Sequence, residues 1–190
     1  MKMNVYDFDN TIYDGESGLD IFFYFLKRNP SLLKHIFTVG IGFIKYKLHM
    51  VTLEMVTEKY LDVIESSIRS LDNFEEDINK FWDKNIKKIK PFFKEHYKEG
   101  DLILTASPEA TIKEVCRRLN VENYIGTKVD IQSGKIHFIC YRENKVTAFR
   151  EKYPHAEIDC FYTDSMNDKP IIDISKHAYL VKKHKLIKLK

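Results

Sequence analysis

The strongest constraint on this chain is a short apolar run that ends abruptly in acids: Met3-Asn4-Val5-Tyr6 gives way to Asp7-Phe8-Asp9-Asn10-Thr11. An apolar segment of that length, bounded by turn formers, fits a buried central strand with the polar loop at its carboxyl end. The pattern returns twice. Asp101-Leu102-Ile103-Leu104-Thr105 predicts a strand that runs into Ser107-Pro108-Glu109, the order of an N-cap, an N1 proline and a first-turn acid. Residues 158–163 predict another strand just ahead of Asp164 and Asp168, and residues 178–181 one more. Residues 129–139 alternate around Ser133-Gly134 as a hairpin. Strands alternating with helices imply an α/β fold with an open parallel sheet, whose ligands bind beyond the carboxyl ends of the strands near a switch in strand order. The first, second and fourth of these strands then bring Asp7/Asp9, Thr105/Ser107 and Asp164/Asp168 to one place.

Between the first and second strands the apolar period lengthens to that of helices. It runs through Leu19, Phe22, Phe23 and Leu26, then over residues 32–48, 50–68 and 74–89, with Asn29-Pro30-Ser31 separating the first two helices and Gly100 ending a later one. At 190 residues the expectation is one core, residues 1–16 and 91–190, carrying a helical lobe over residues 17–90. A chain 44% hydrophobic and 31% charged has the profile of a folded protein rather than a disordered one. Cys116, Cys140 and Cys160 form no disulfide or zinc-ligand pattern. The first residues lack a signal-peptide pattern, and the apolar stretch at residues 36–44 is too short to span a bilayer, so the expected location is cytoplasmic. A net charge of +3 implies no nucleic-acid partner, and the five lysines in residues 182–190 read as a solvated edge or frayed terminus.

Asp7 and Asp9 are two positions apart, so on an extended chain their carboxylates share a face. A divalent cation relieves their repulsion, and Asp164 and Asp168 complete the hard oxygen shell that Mg²⁺ prefers. Asp7 is then placed to attack phosphorus and form an aspartyl-phosphate, with Asp9 first protonating the leaving oxygen and later deprotonating water. Thr105 and the amides of Ala106 and Ser107 are the expected phosphate-binding groups, together with Thr11, and Lys145 supplies positive charge. Two other readings stay open. One is phosphoryl transfer to an acceptor other than water. The other is a non-catalytic phosphate- or partner-binding module that uses the basic tail and aromatic helices, with peripheral membrane contact.

Asp-x-Asp-x-Thr at residues 7–11, the strand-terminal Thr105, the later Lys145 and Asp164-(x3)-Asp168 resemble, in order, the four signature motifs of haloacid dehalogenase-type hydrolases. The resemblance covers essentially the whole chain. It implies a Rossmann-like core with a helical C1 cap inserted after the first strand, Asp7 as nucleophile, Asp9 as acid and base, Thr105 on phosphate, Lys145 bridging nucleophile and phosphate, and Asp164 and Asp168 serving magnesium. Keeping Asp9 is the mark of the phosphatases and phosphomutases within that superfamily. The segments around Thr105, Lys145 and Asp164 look most like the phosphoserine-phosphatase-like subfamily, where Glu16 stands at the place of a substrate-binding acid. Two departures argue against phosphoserine itself: no matching cap arginine is found, and Lys145 lacks flanking glycines. The aromatic excess of Phe22, Phe23, Tyr24, Phe25, Phe37, Phe43 and Tyr46 resembles the branch acting on lipid phosphates such as phosphatidylglycerophosphate, against the competing reading of core packing. The substrate is thus expected to be a small phosphorylated metabolite or a lipid phosphate.

Overall fold

The computed structural model describes residues 1–28, 45, 48, 50, 51 and 53–190. Apart from Lys45 and Leu48, the helix expected over residues 32–48 lies outside those residues, as do the Asn29-Pro30-Ser31 boundary and the aromatics Phe37, Phe43 and Tyr46. Strand β1 (Lys2–Tyr6) leads into helix α1 (Ser17–Arg28). Helices α2 (Leu53–Arg69) and α3 (Phe74–Asn85), a 3-10 turn (Ile86–Lys88) and the short α4 (Pro91–His96) follow. Then come β2 (Leu102–Pro108), α5 (Glu109–Arg118), β3 (Asn123–Val129), β4 (Ile136–Phe138), α6 (Glu143–Lys152) and β5 (Glu157–Thr163). Helix α7 (Lys169–Ile174) and strands β6 (Ser175–Lys182) and β7 (Lys185–Lys188) close the chain.

Among the described residues the strands form one seven-stranded sheet in the order β4-β3-β2-β1-β5-β6-β7. The five inner strands are parallel, and the two edges are antiparallel hairpins. The expected open parallel sheet is therefore observed. From β1 the chain builds outward to β2 and β3, then returns to the other side of β1 with β5 and β6. That reversal opens a crevice above the carboxyl end of β1. Alternate side chains of each strand feed opposite faces. Tyr6, Ile103 and Tyr162 pack under α1, α3, α4 and α5, whereas Val5, Leu104 and Phe161 pack under α6 and α7.

The helices read from residues 17, 50 and 74 all form, each beginning within three residues of expectation. Helix α4 stops at His96, four residues before Gly100, which instead occupies a turn at φ +91°. In α1, Phe25 is buried and Phe23 is 53% exposed, while α3 contributes Ile78, Phe81 and Trp82 to the cluster that lies on the sheet. These helices therefore share the sheet's core instead of building one apart from it. The carboxyl-terminal end of α2 rests on the β3–β4 hairpin: Ile136 N donates to Glu65 (3.2 Å) and Arg69 Nε to Ser133 O (3.0 Å). Gly134, at φ +76°, admits that approach, since a Cβ there would collide with the Glu65 carbonyl. The lysine-rich end is an ordered edge strand, with β7 paired to β6 and every β7 residue exposed. Lysines along such an edge discourage pairing with another chain. No described helix is long and apolar enough to cross a membrane.

Candidate active site

The loop after β1 is built by its backbone. The Asp7 amide donates to Tyr162 O at 2.8 Å, carrying β1 one residue further along β5. Phe8 O then accepts from both Ile12 N and Tyr13 N at 2.9 Å, and Asn10 turns the chain at φ +54°, a value that asparagine tolerates better than most residues. The turn leaves Asp7, Asp9 and Asn10 on the wall of a cleft of about 270 Å³ and sends Thr11 inward. Thr11 is 0% exposed and off the cleft wall, and among the described residues its hydroxyl has no hydrogen-bond partner. Its expected role on phosphate is therefore corrected: reversing the chain at Asn10 aims the next side chain at the core. Lys90 closes the loop from below, its amide on Ile12 O (2.8 Å) and its ammonium on Asn10 O. Burial lowers the Lys90 ammonium, which Asp14 and Asp164 partly offset. In a chain with 31 lysines and arginines, a single lysine 80 residues from the loop gives no sequence signal.

Lys145, on the first turn of α6, reaches Asp7 Oδ1 (2.8 Å) and Asp168 Oδ1 (2.7 Å) at once. The three residues are 2%, 8% and 4% exposed, so this ion cluster is withdrawn from water. Thr163 donates to the other oxygen of Asp168 at 2.8 Å and fixes it on Lys145. Burial pushes the Asp7 carboxyl well above its ordinary range, the Lys145 ammonium pulls it back, and Asp168 and Asp164 add to the rise. Burial alone would lower Lys145, but Asp168 and Asp7 outweigh it and hold the ammonium firmly protonated.

Asp9 faces a different set of partners. Ser17 N donates to Oδ1 and Ser107 Oγ to Oδ2, each at 2.6 Å, and the two serine hydroxyls lie 3.3 Å apart. Burial raises the Asp9 carboxyl, and the hydrogen bonds from Ser107 and Ser17 lower it. Ser107, expected to cap the next helix and to offer its amide to phosphate, does neither. Its amide donates to Thr105 Oγ1 (3.1 Å), β2 runs on through Pro108, and α5 starts one residue later, at Glu109. The Pro108 ring supplies the extended φ of −60° at the cap position, and Ser107 is left to Asp9. Thr105 and Ala106 line the cleft as expected. Ser17 and Thr163 carry no sequence signal of their own; nothing in spacing marks a serine that orients a carboxylate eight residues upstream.

Asp164 and Glu16 complete the acidic wall, and Asn10 Nδ2 donates to Glu16 at 2.6 Å. Burial pushes the Asp164 carboxyl up to about 6, with Glu16 and Asp168 adding and Lys145 opposing. The cleft thus carries more buried carboxylate than cationic charge. Such a set suits a hard cation, although among the described residues no three Asp, Glu, His or Cys side chains enclose one point. The protein would offer fewer than three carboxylates and leave the other positions to water and substrate oxygen, as magnesium sites commonly do.

Comparison with known proteins agrees with this fold. The sequence profile of the haloacid dehalogenase-like hydrolases matches residues 5–173. A probable phosphatase of Mycobacterium tuberculosis strain H37Rv is 30% identical over 90 residues, covering 42% of this chain and 31% of that protein. The chain thus spans about a third of the length of the curated relatives it matches. A protein of unknown function from Bordetella pertussis Tohama I shares the fold at a TM-score of 0.72 and 19% identity, over 93% of this chain and 88% of that one. A phosphoserine phosphohydrolase-like protein from Francisella tularensis does so at 0.64 and 18% identity, over 97% and 88%.

Proposed function

The chain belongs to the haloacid dehalogenase-like hydrolases, and from that premise we propose that it hydrolyses phosphate monoesters of small metabolites through a phosphoryl group carried on Asp7. The observation that carries this reading is the Lys145 ammonium lying 2.8 Å from Asp7 and 2.7 Å from Asp168 inside the cleft. A carboxylate so buried attacks only if its charge is held, and Lys145 holds it. Asp7 attacks phosphorus opposite the leaving oxygen, the P–O bond to the alcohol breaks, and Asp9 gives that oxygen its proton. Water then loses a proton to Asp9 and attacks phosphorus, which frees Asp7 and inorganic phosphate. The pair of serines suits Asp9 to both states. With Asp9 ionised, Ser107 donates to it; with Asp9 protonated, Ser107 accepts from it and donates to Ser17. Thr105 accepts one bond and keeps its own hydroxyl proton for a phosphoryl oxygen, beside Ala106.

Asp7 and Asp164 are the residues that would hold Mg²⁺, while Asp9 and Asp168 are committed to Ser17 and Ser107 and to Lys145 and Thr163. When bound, the ion supplies positive charge to the phosphoryl oxygens and to the crowded carboxylates. We assign residues 17–90 to the cap domain of this family and the protein to the cytoplasm. The test is phosphate release from a panel of phosphomonoesters, with Mg²⁺ and with chelator. Release that needs the metal and disappears in Asp7→Asn supports the reading; release unchanged in Asp7→Asn overturns it.

A further inference from the structure

Directly after Tyr141 on the cleft wall, the chain carries a backbone anomaly. Arg142, at the start of α6 and three residues before Lys145, sits at φ +49° and ψ −119°. A side chain makes that conformation costly, glycine adopts it freely, and such strain persists mainly where a site uses it. The helix itself does not explain the arginine: Arg142 gives α6 no side-chain cap, and its contribution to the helix is its carbonyl, which accepts from Lys145 N at 3.0 Å. Nor does an ion pair explain it. Arg28, Arg69, Arg117, Arg118 and Arg150 each donate to a carboxylate or a carbonyl. Among the described residues Arg142 has neither kind of partner. Its guanidinium lies over the ring of Tyr141, 5.3 Å from the centroid, and Tyr141 forms part of the cleft wall. A planar cation is thus parked on an aromatic face one ring away from a cleft dominated by carboxylates.

Resting on the phosphatase reading above, we propose that Arg142 selects substrates that carry a second anionic group, a carboxylate or a second phosphate, on the alcohol side of the ester. The guanidinium fork pairs bidentately with such a group, and its stacking on Tyr141 keeps it in place before substrate arrives. Lys145 cannot serve this group, since Asp7 and Asp168 already hold it. The inserted cap need not supply the matching arginine, because the core loop ahead of the catalytic lysine presents one.

The test compares kcat/KM for phosphoglycolate and for glycerol bisphosphate with that for p-nitrophenyl phosphate, in the parent, Arg142→Gly and Arg142→Lys. In Arg142→Gly the preference for the doubly anionic esters is expected to fall by about 10- to 100-fold, the span of one charge-assisted bidentate contact. Arg142→Lys should restore part of it. Because glycine suits the backbone at this position, Arg142→Gly should melt no lower than the parent, so a lost preference is not a lost fold. An unchanged ratio, or equal loss for all three esters, overturns the inference. Binding of phosphonoacetate and methylphosphonate to the Asp7→Asn protein, with and without Arg142→Gly, separates this from the phosphatase reading. If the parent hydrolyses nothing but phosphonoacetate binds tighter through Arg142, only the phosphatase reading fails. If both phosphonates bind alike, the inference fails whatever the activity.

Discussion

Two buried places in this molecule follow opposite logic. At the carboxyl end of β1, Asp7, Asp9, Asp164 and Asp168 share one cleft with the ammonium of Lys145, and burial drives Asp7, Asp9 and Asp164 toward protonation. Where α3 meets α5, Trp82 is equally withdrawn from water, yet nothing there is in conflict. Its ring packs edge-on against Phe8, Tyr13 and Phe81, and its N–H donates to Thr111 O at 2.9 Å. Arg118 closes the rim of that seam with Glu114 at 2.7 Å and Asp83 at 2.8 Å. The first place holds charges against their preference and the second stabilises the fold that holds them. Phe8 and Tyr13 belong to the loop that presents Asp7 and Asp9, so the seam braces the site directly.

The comparison predicts that changes at the two places move different observables. Asp7→Asn is expected to lower turnover by at least about 1,000-fold while leaving the thermal midpoint level or higher, because an amide removes a buried charge at constant volume. Phosphate release and a melting curve on the same sample decide this. Trp82→Ala should cost about 3–5 kcal/mol of unfolding free energy in urea titrations, from the cavity and the unmatched Thr111 carbonyl. A loss under about 1 kcal/mol would show that the seam is not the brace described. Asp164→Asn sharpens the contrast through pH. With a folded value of about 6 against an ordinary 3.8, the folded protein binds more protons than the unfolded chain in that window. Metal-free protein should therefore lose stability as pH rises from about 4 through 6, and the variant should lose less. Equal slopes would remove the crowding argument. The smallest effect is expected at Glu114, whose carboxyl Arg117 and then Arg118 hold down at about 2. Glu114→Gln should cost about 0.5–1 kcal/mol near neutral pH. Because the folded value is depressed, that difference is present above about 4.5 and disappears as pH falls toward 2.

Much of this was legible in the sequence because strand ends are local. An apolar run that stops at an acid identifies both a strand and the end of it that faces the site, so Asp7, Asp9, Thr105, Asp164 and Asp168 could be read one segment at a time. Lys145 was legible by its place in a known order of motifs. The rest depends on contacts between distant segments. Lys90 acts on a loop 80 residues away, and Ser107 turns from helix cap to Asp9 partner only because β2 extends past it through Pro108. Thr11 fits the motif by identity yet points inward once Asn10 reverses the chain. The aromatic excess of residues 22–25 divides between a buried Phe25 and an exposed Phe23, a split that a one-residue shift in helix phase would undo.

The central claim, a phosphoryl group on Asp7, is tested most directly in Asp9→Asn supplied with p-nitrophenyl phosphate and Mg²⁺. That leaving group needs no acid, so the variant can form the intermediate but has lost the base that clears it. Peptide mapping by mass spectrometry after an acid quench should find one added phosphoryl group on the peptide carrying Asp7, with a stoichiometric burst of nitrophenolate. A variant that turns over steadily with no modified Asp7 peptide would contradict the account.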